Sequence, residues 1–141
     1  MPIDDLRHET LLARRGDVVT GTIEENLRLW RRGVSFESMR EALEDTGLWE
    51  AIQGLSDGIR SRLNASGHPL SETQADLLVL ARAIASKPRI LLIDGLLDGL
   101  APETRDHLLE RIAGPDVPWT LVVSTVSEQV AERCESRIDL T

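Results

Sequence analysis

At 141 residues the chain has the length of one domain with room for a real core, and with 41% hydrophobic but only 3% aromatic residues that core must be aliphatic. A formal net charge of −8 argues against binding nucleic acid or an anionic membrane surface through bulk charge. The single cysteine, Cys134, excludes an internal disulfide or a zinc knuckle and fits a reducing compartment. No apolar run approaches the roughly 18 residues that cross a bilayer. The acidic start, MPIDDLRHET, lacks the apolar centre of a secretory signal. A soluble protein is expected, with any membrane role passing through a partner.

Residues 4–15 admit two readings: a short helix capped by Asp4 or Asp5 and carrying Leu6, or a strand over Leu11–Arg14. Thr22 with Glu25 forms a T-x-x-E cap for a helix. Arg28, Arg31 and Arg32 make a basic cluster, read as a solvated helix end that complements its dipole. Ser35 caps a second helix with Phe36, Met39, Ala42 and Leu43 on one face, and Gly47 ends it. Leu48, Ile52 and Leu55 mark a third, short helix, Asp57–Gly58 a turn, and residues 59–69 a loop. No strand is expected in residues 22–68.

Leu70 and Ser71 open a helix expected to run to about Lys87, where Pro88 ends it. Ser71 stands at the N-cap and Gln74 three residues later, so S-x-x-Q is also a capping box. The apolar positions leave a narrow polar face at Glu72, Thr73, Asp76, Arg82 and Ser86, as in a helix that is almost wholly buried. Ile90–Asp94 reads as a buried strand with an acid at its C-terminal tip. A glycine-broken loop follows, GLLDGLAP, then a helix from Pro102 carrying Leu108, Leu109 and Ile112 and stopping at Gly114–Pro115. Thr120–Val123 is a second apolar strand, Ser127 caps a helix to about Cys134, and Arg137–Leu140 is a weaker last strand. Strands alternating with helices read as a parallel α/β sheet with right-handed crossovers.

The stretch from Leu70 to Asp94 resembles the ATP-binding cassette (ABC) family, whose signature L-S-G-G-Q opens an Ala/Leu/Arg-rich helix followed by an apolar strand ending in Asp-Glu. Leu70, Ser71 and Gln74 match, while Glu72 and Thr73 replace the two glycines; L-A-R-A at Leu80–Ala83 and P-R-I-L-L-I-D at Pro88–Asp94 match closely. T-G-T-I-E-E-N-L at Thr20–Leu27 is similar to the exporter pattern that opens the helical subdomain. The resemblance runs from about residue 10 to the end. It implies an α/β fold, a partial P-loop NTPase-like parallel sheet with a helical subdomain insertion. Residues 1–141 then form one domain, with 22–87 as the helical subdomain, 88–141 as the C-terminal α/β part and a short strand near 11–15.

The resemblance also shows what is missing. The phosphate cradle, G-x-x-x-x-G-K-[ST], needs a Gly-Lys pair; this sequence has none, and its only lysine is Lys87. The chain is expected to begin downstream of that loop. The metal-sensing glutamine falls by register on Arg14 or Arg15, with no Gln between Met1 and Gly21. The metal-linked aspartate is present as Asp94 at a strand tip, where open α/β sheets bind ligands; its plainer role is to cap the following loop. The general base position is Gly95, which has no side chain to take a proton, and Asp98 lies three residues further on. The D-loop aspartate position is Ala101, and the γ-phosphate-sensing histidine position is Thr125. Glu72 puts a carboxylate in the signature helix's first turn, which stabilises the free helix by roughly 0.3–1 kcal/mol but repels a phosphate there. Thr73 adds a branched side chain where close approach was needed.

His8, His68 and His107 lack metal-ligand spacing, Ser71, Ser124 and Ser127 lack a nucleophile context, and Trp30, Trp49 and Trp119 read as part-core residues. The sequence therefore suggests a degenerate, non-hydrolytic ABC-type fragment acting as a protein-interaction or regulatory module. The alternative is part of a transporter ATPase whose P-loop lies on a missing segment or another chain. No catalytic or metal residues are assigned; Ser71, Gln74 and Asp94 are vestigial nucleotide positions. No cofactor is expected on the chain alone, and ATP and Mg only with a partner or a missing segment. Expected partners are a transporter membrane domain, a second cassette or a second copy, without nucleic acid or direct membrane insertion. The expected location is cytoplasmic, peripheral to a membrane's inner face where a transporter partner holds it.

Overall fold

The computed structural model describes residues 9–29, 31 and 33–140. Three parallel strands carry the sheet: β1 (Thr10–Arg14), β4 (Ile90–Asp94) and β5 (Thr120–Ser124), in the order β1–β4–β5. Between β1 and β4 come a two-residue strand β2 (Gly21–Thr22), helices α1 (Ile23–Arg28), α2 (Phe36–Asp45) and α3 (Trp49–Gln53), a second two-residue strand β3 (Arg62–Leu63), and the long α4 (Glu72–Ala85). Helix α5 (Pro102–Ile112) crosses from β4 to β5, and α6 (Glu128–Glu132) follows β5. The strand reading of residues 11–14 is the one adopted; the helix considered around Leu6 lies outside the described residues, as do Trp30, Arg32 and His8.

The helix starts follow from their caps. Thr22 Oγ1 accepts from the Glu25 N–H and Ser35 Oγ from the Ser38 N–H. Gly47, at φ +76°, closes α2 with paired bonds: its own N–H to the Glu44 carbonyl and the Leu48 N–H to the Leu43 carbonyl. That is a Schellman end, which a left-handed residue makes at low cost. Pro102 sits in the first turn of α5.

Helix α4 is the centre of the packing. It lies against α1, α2 and β1 and buries Leu77, Leu78, Val79, Leu80, Ala81, Ala83 and Ile84. The covered face of the sheet supplies Ala13, Leu91 and Ile93, all fully buried. Burying a Leu or Ile side chain contributes roughly 1.5–3 kcal/mol. The other face carries the register row Leu12–Leu92–Val122, where Leu12 is 45% and Val122 50% exposed. Among the described residues β5 pairs only with β4.

Several expectations are corrected. Residues 22–68 do contain strand, because β2 and β3 pair antiparallel as Gly21–Leu63 and Thr22–Arg62 and close the loop that carries α1 to α3. Phe36 does not share the buried face of Met39, Ala42 and Leu43; it stays half exposed with its ring edge-on to Trp49 at 6.4 Å. Helix α4 ends at Ala85 rather than Lys87, whose φ of +47° takes it out of the helix. Of the narrow polar face expected on α4, Asp76 and Arg82 are buried along with the apolar positions, while Glu72 and Thr73 are exposed. Helix α6 stops at Glu132, and residues 137–140 form no strand. Arg137 instead turns back to Glu128 at 2.6 and 2.8 Å and to Asp139 at 2.8 Å, leaving Ile138 and Leu140 exposed.

Candidate functional site

Asp94, the last residue of β4, is exposed at the C-terminal edge of the sheet, between Arg14 of β1 and Ser124 of β5. Arg14 does not turn to it but pairs with Asp17 at 3.0 Å. Nor does Asp94 cap the loop that follows: the short 3-10 turn Leu96–Gly99 begins at Gly95 with no side-chain cap. Gly95 has φ +67° and donates its N–H to the Ser124 carbonyl at 3.0 Å. This left-handed conformation is one that residues with a Cβ rarely adopt.

Asp98, inside the turn, is already engaged. One carboxylate oxygen accepts the Thr125 hydroxyl and the other the Val126 N–H at 3.0 Å. Thr125 Oγ1 in turn accepts the Ser127 N–H at 3.0 Å, and Ser127 Oγ caps α6 through the Val130 N–H. Thr125 therefore serves to join the segment after β5 to the turn after β4. Ala101 is the N-cap of α5 and offers no side-chain bond.

The second part of the site is the N-terminus of α4. The capping box is closed: Ser71 Oγ accepts the Gln74 N–H at 3.1 Å, and Gln74 Oε1 accepts the Ser71 N–H at 2.9 Å. Each of these side chains is thus spent on the other's backbone. Glu72 and Thr73 are exposed beside them. Arg15, one of the two glutamine-position candidates, points here: Nη2 lies 3.3 Å from Glu72 Oε1 and Nε 3.2 Å from Asp76 Oδ2. The Gly16 N–H reaches Asp76 Oδ1 at 3.4 Å. Further along α4, Arg82 donates from Nη2 to the Asp17 carbonyl at 3.0 Å, while its Nη1 has no partner among the described residues. Burial pulls the Arg82 guanidinium below the usual arginine range, and the nearby Asp17 charge partly offsets this. Arg82 lines an open cavity of about 340 Å³ with Leu11, Leu12, Asp17, Val18 and Leu29; Asp94 is not part of its lining.

Sequence reasoning missed Arg15, Asp76 and Arg82 as a connected set. The available signal was charge inside a nearly all-apolar helix, since a buried charge requires a partner. The remaining candidates stay apart. His68 and His107 are exposed, and among the described residues no group of three His, Cys, Asp or Glu is placed to hold a metal ion. Trp119 is part-buried with Nε1 on the Ile112 carbonyl at 2.9 Å; Trp49 is part-buried under Arg40, 5.1 Å from its ring centre.

No protein-family model matches the chain. It is 31% identical over 99 residues to a putative export ATP-binding/permease protein of Rickettsia felis, covering 70% of this chain and 17% of that one. It is 31% identical over 118 residues to the uncharacterized ABC transporter ATP-binding protein YfiB of Bacillus subtilis, covering 79% of this chain and 21% of that one. The solved structure of a bacterial Atm1-family ABC exporter with ATP bound superposes on 87% of this chain and 22% of its own, with a TM-score of 0.77 at 22% identity. The chain belongs to the ATP-binding cassette family, exporter type. Its mixed α/β fold with a three-stranded parallel sheet matches that of the exporters. The ABC relatives are much longer: the chain spans about a fifth or less of the length of those compared above. Among the described residues no helix is long and apolar enough to cross a membrane.

Proposed function

We propose that this chain is a part of an ABC-type transporter that does not hydrolyse ATP on its own and acts as a protein-interaction or regulatory module. The observation that carries the reading is the state of the base position. Gly95 has no side chain, its φ of +67° disfavours one, and the nearest loop carboxylate, Asp98, is committed to Thr125 and Val126. General-base catalysis needs a free carboxylate or imidazole within hydrogen-bond reach of the attacking water.

The residues that would hold nucleotide and magnesium do not fit them as they stand. The sequence has no Gly-Lys pair. The first turn of α4 presents the Glu72 carboxylate where a phosphate would approach. Arg15, at or next to the metal-sensing position, is drawn to Glu72 and Asp76. We therefore assign no cofactor to the chain alone. Its location is proposed to be cytoplasmic, at a membrane's inner face, through a transporter membrane domain or a second cassette.

A second reading has its own support. Asp94 remains an exposed carboxylate at the strand tip, and the relatives are called export ATP-binding/permease proteins. On that reading the chain is the signature-bearing part of a transporter ATPase, and another segment or chain supplies the P-loop. Titration calorimetry with MgATP separates the two, run on the chain alone and with any chain that co-purifies. Binding only in the complex, lost on Asp94→Ala, favours the second reading. No binding in either sample favours the module.

A further inference from the structure

Among the described residues one pair of aromatic rings is in contact, and it lies on the outer side of α2 and α3. The Phe36 ring is 51% exposed and meets Trp49 edge-on at 6.4 Å. Arg40, one turn after Phe36, holds its guanidinium 5.1 Å from the centre of the Trp49 ring and pairs at 3.0 Å with Glu44, a further turn along. Positions 36, 40 and 44 form one stripe at the i, i+4 spacing, distinct from the face that buries Met39, Ala42 and Leu43. The sequence has one Phe, three Trp and no Tyr, so half of its aromatic side chains meet at this stripe. Aromatic and arginine side chains already placed against one another on a surface are the types that anchor protein interfaces. The charge around them is one-sided. Residues 36–53 hold five carboxylates, Glu37, Glu41, Glu44, Asp45 and Glu50, against one base, Arg40, which is half of the formal net charge of −8. Glu44 and Asp45 have ionic partners in Arg40 and Arg111. Glu37, Glu41 and Glu50 are exposed and have no ionic partner among the described residues.

We infer that the Phe36–Arg40–Trp49 stripe, with its flanking carboxylates, is a docking surface for a cationic amphipathic segment of another protein. An apolar side chain of that segment covers the open half of the Phe36 ring, and Lys or Arg on either side of it meet Glu37, Glu41 and Glu50. Complementary charge sets the orientation and speeds the encounter, while the ring supplies the buried contact. The inference rests on the reading of the chain as a protein-interaction module and names the surface and the chemistry of the partner.

The test titrates the intact chain with a synthetic helical peptide of Leu and Lys that carries one apolar stripe. Amide chemical-shift mapping is expected to place the peptide on residues 36–50. Phe36→Ala should weaken binding roughly five- to tenfold, the loss of about half a buried aromatic side chain, with Phe36→Leu in between. Glu37→Gln, Glu41→Gln and Glu50→Gln together, all at exposed positions, should weaken binding at ~50 mM salt and flatten its decline toward ~300 mM. A peptide of the same composition with the stripe scrambled should bind about tenfold more weakly. Equal binding of the scrambled peptide would reduce the contact to bulk charge attraction and overturn the inference. So would an unchanged affinity in Phe36→Ala, shifts centred on Leu12 and Val122 at the open face of the sheet, or no binding at low salt. These results bear on the surface alone, whereas the MgATP titration bears on the module reading, so the two fail separately.

Discussion

Restoring the two glycines of the signature, Glu72→Gly with Thr73→Gly, should destabilise the protein. These residues occupy the first two positions of α4, directly after the Ser71 cap. Glycine costs up to ~1 kcal/mol at an interior helix position and less in a first turn, so the pair together costs about 1 kcal/mol. Removing the Glu72 carboxylate from the positive end of the helix costs roughly 0.3–1 kcal/mol more. The Arg15–Glu72 contact adds little, because Glu72 is 85% exposed and such pairs are screened by water. The total is about 1–2 kcal/mol, which at this chain length lowers Tm by about 3–7 °C. Thermal unfolding followed by circular dichroism reads this directly, with Ser71→Ala as a comparison expected to lose ~1 kcal/mol through the cap. A double-glycine variant melting at or above the parent would show that the substituted first turn contributes nothing to the fold.

Further predictions concern the loop, the sheet edge and pH. Gly95→Glu should be destabilised by about 1–2 kcal/mol, the cost of forcing a side chain into the left-handed region, and should gain no ATP turnover; an unchanged melting temperature refutes the strain. The edge of β5 that has no partner strand among the described residues lacks charged or proline guards over Thr120–Ser124, so these amides should exchange fast in the monomer and be protected only when another chain or copy pairs there. A strict monomer by light scattering with those amides strongly protected contradicts this. Burial raises the Asp45 carboxyl above its ordinary range, with Glu41 and Glu44 adding to the shift and Arg111 and His107 opposing it. A raised folded-state value means the contribution to stability is full below about pH 4 and is lost as pH rises through the folded-state value. Asp45→Asn should therefore be more stable than the parent at pH 7 and equal to it near pH 3.5; denaturant melts at the two pH values check this.

Much of this fold is local chemistry and can be read from short spans of sequence. Thr22, Ser35, Ser71 and Ser127 each accept from the backbone N–H three residues on, and β4 runs over Ile90–Asp94 as its apolar pattern indicates. What was not legible depends on residues far apart. Asp76 is buried because Arg15, 61 positions earlier, reaches it, and Arg82 is buried because the Asp17 carbonyl lies 65 positions away. Strands β2 and β3 have two residues each, too few to show an alternation, and exist only as a pair. Arg137–Leu140 has a strand-like composition, but the Glu128 carboxylate on α6 captures Arg137. At the site, the substitutions at Glu72, Thr73, Gly95, Ala101 and Thr125 were visible as letters. That Asp98 is bound by Thr125, and that Gly95 sits at φ +67°, required the structure.

Phosphate release from MgATP by the purified chain shows whether it turns over ATP by itself. Release at the buffer rate, unchanged by Asp94→Ala, is the predicted result. Release above background that disappears in Asp94→Ala would mean that a working hydrolytic site forms around the tip of β4, contradicting the non-hydrolytic reading.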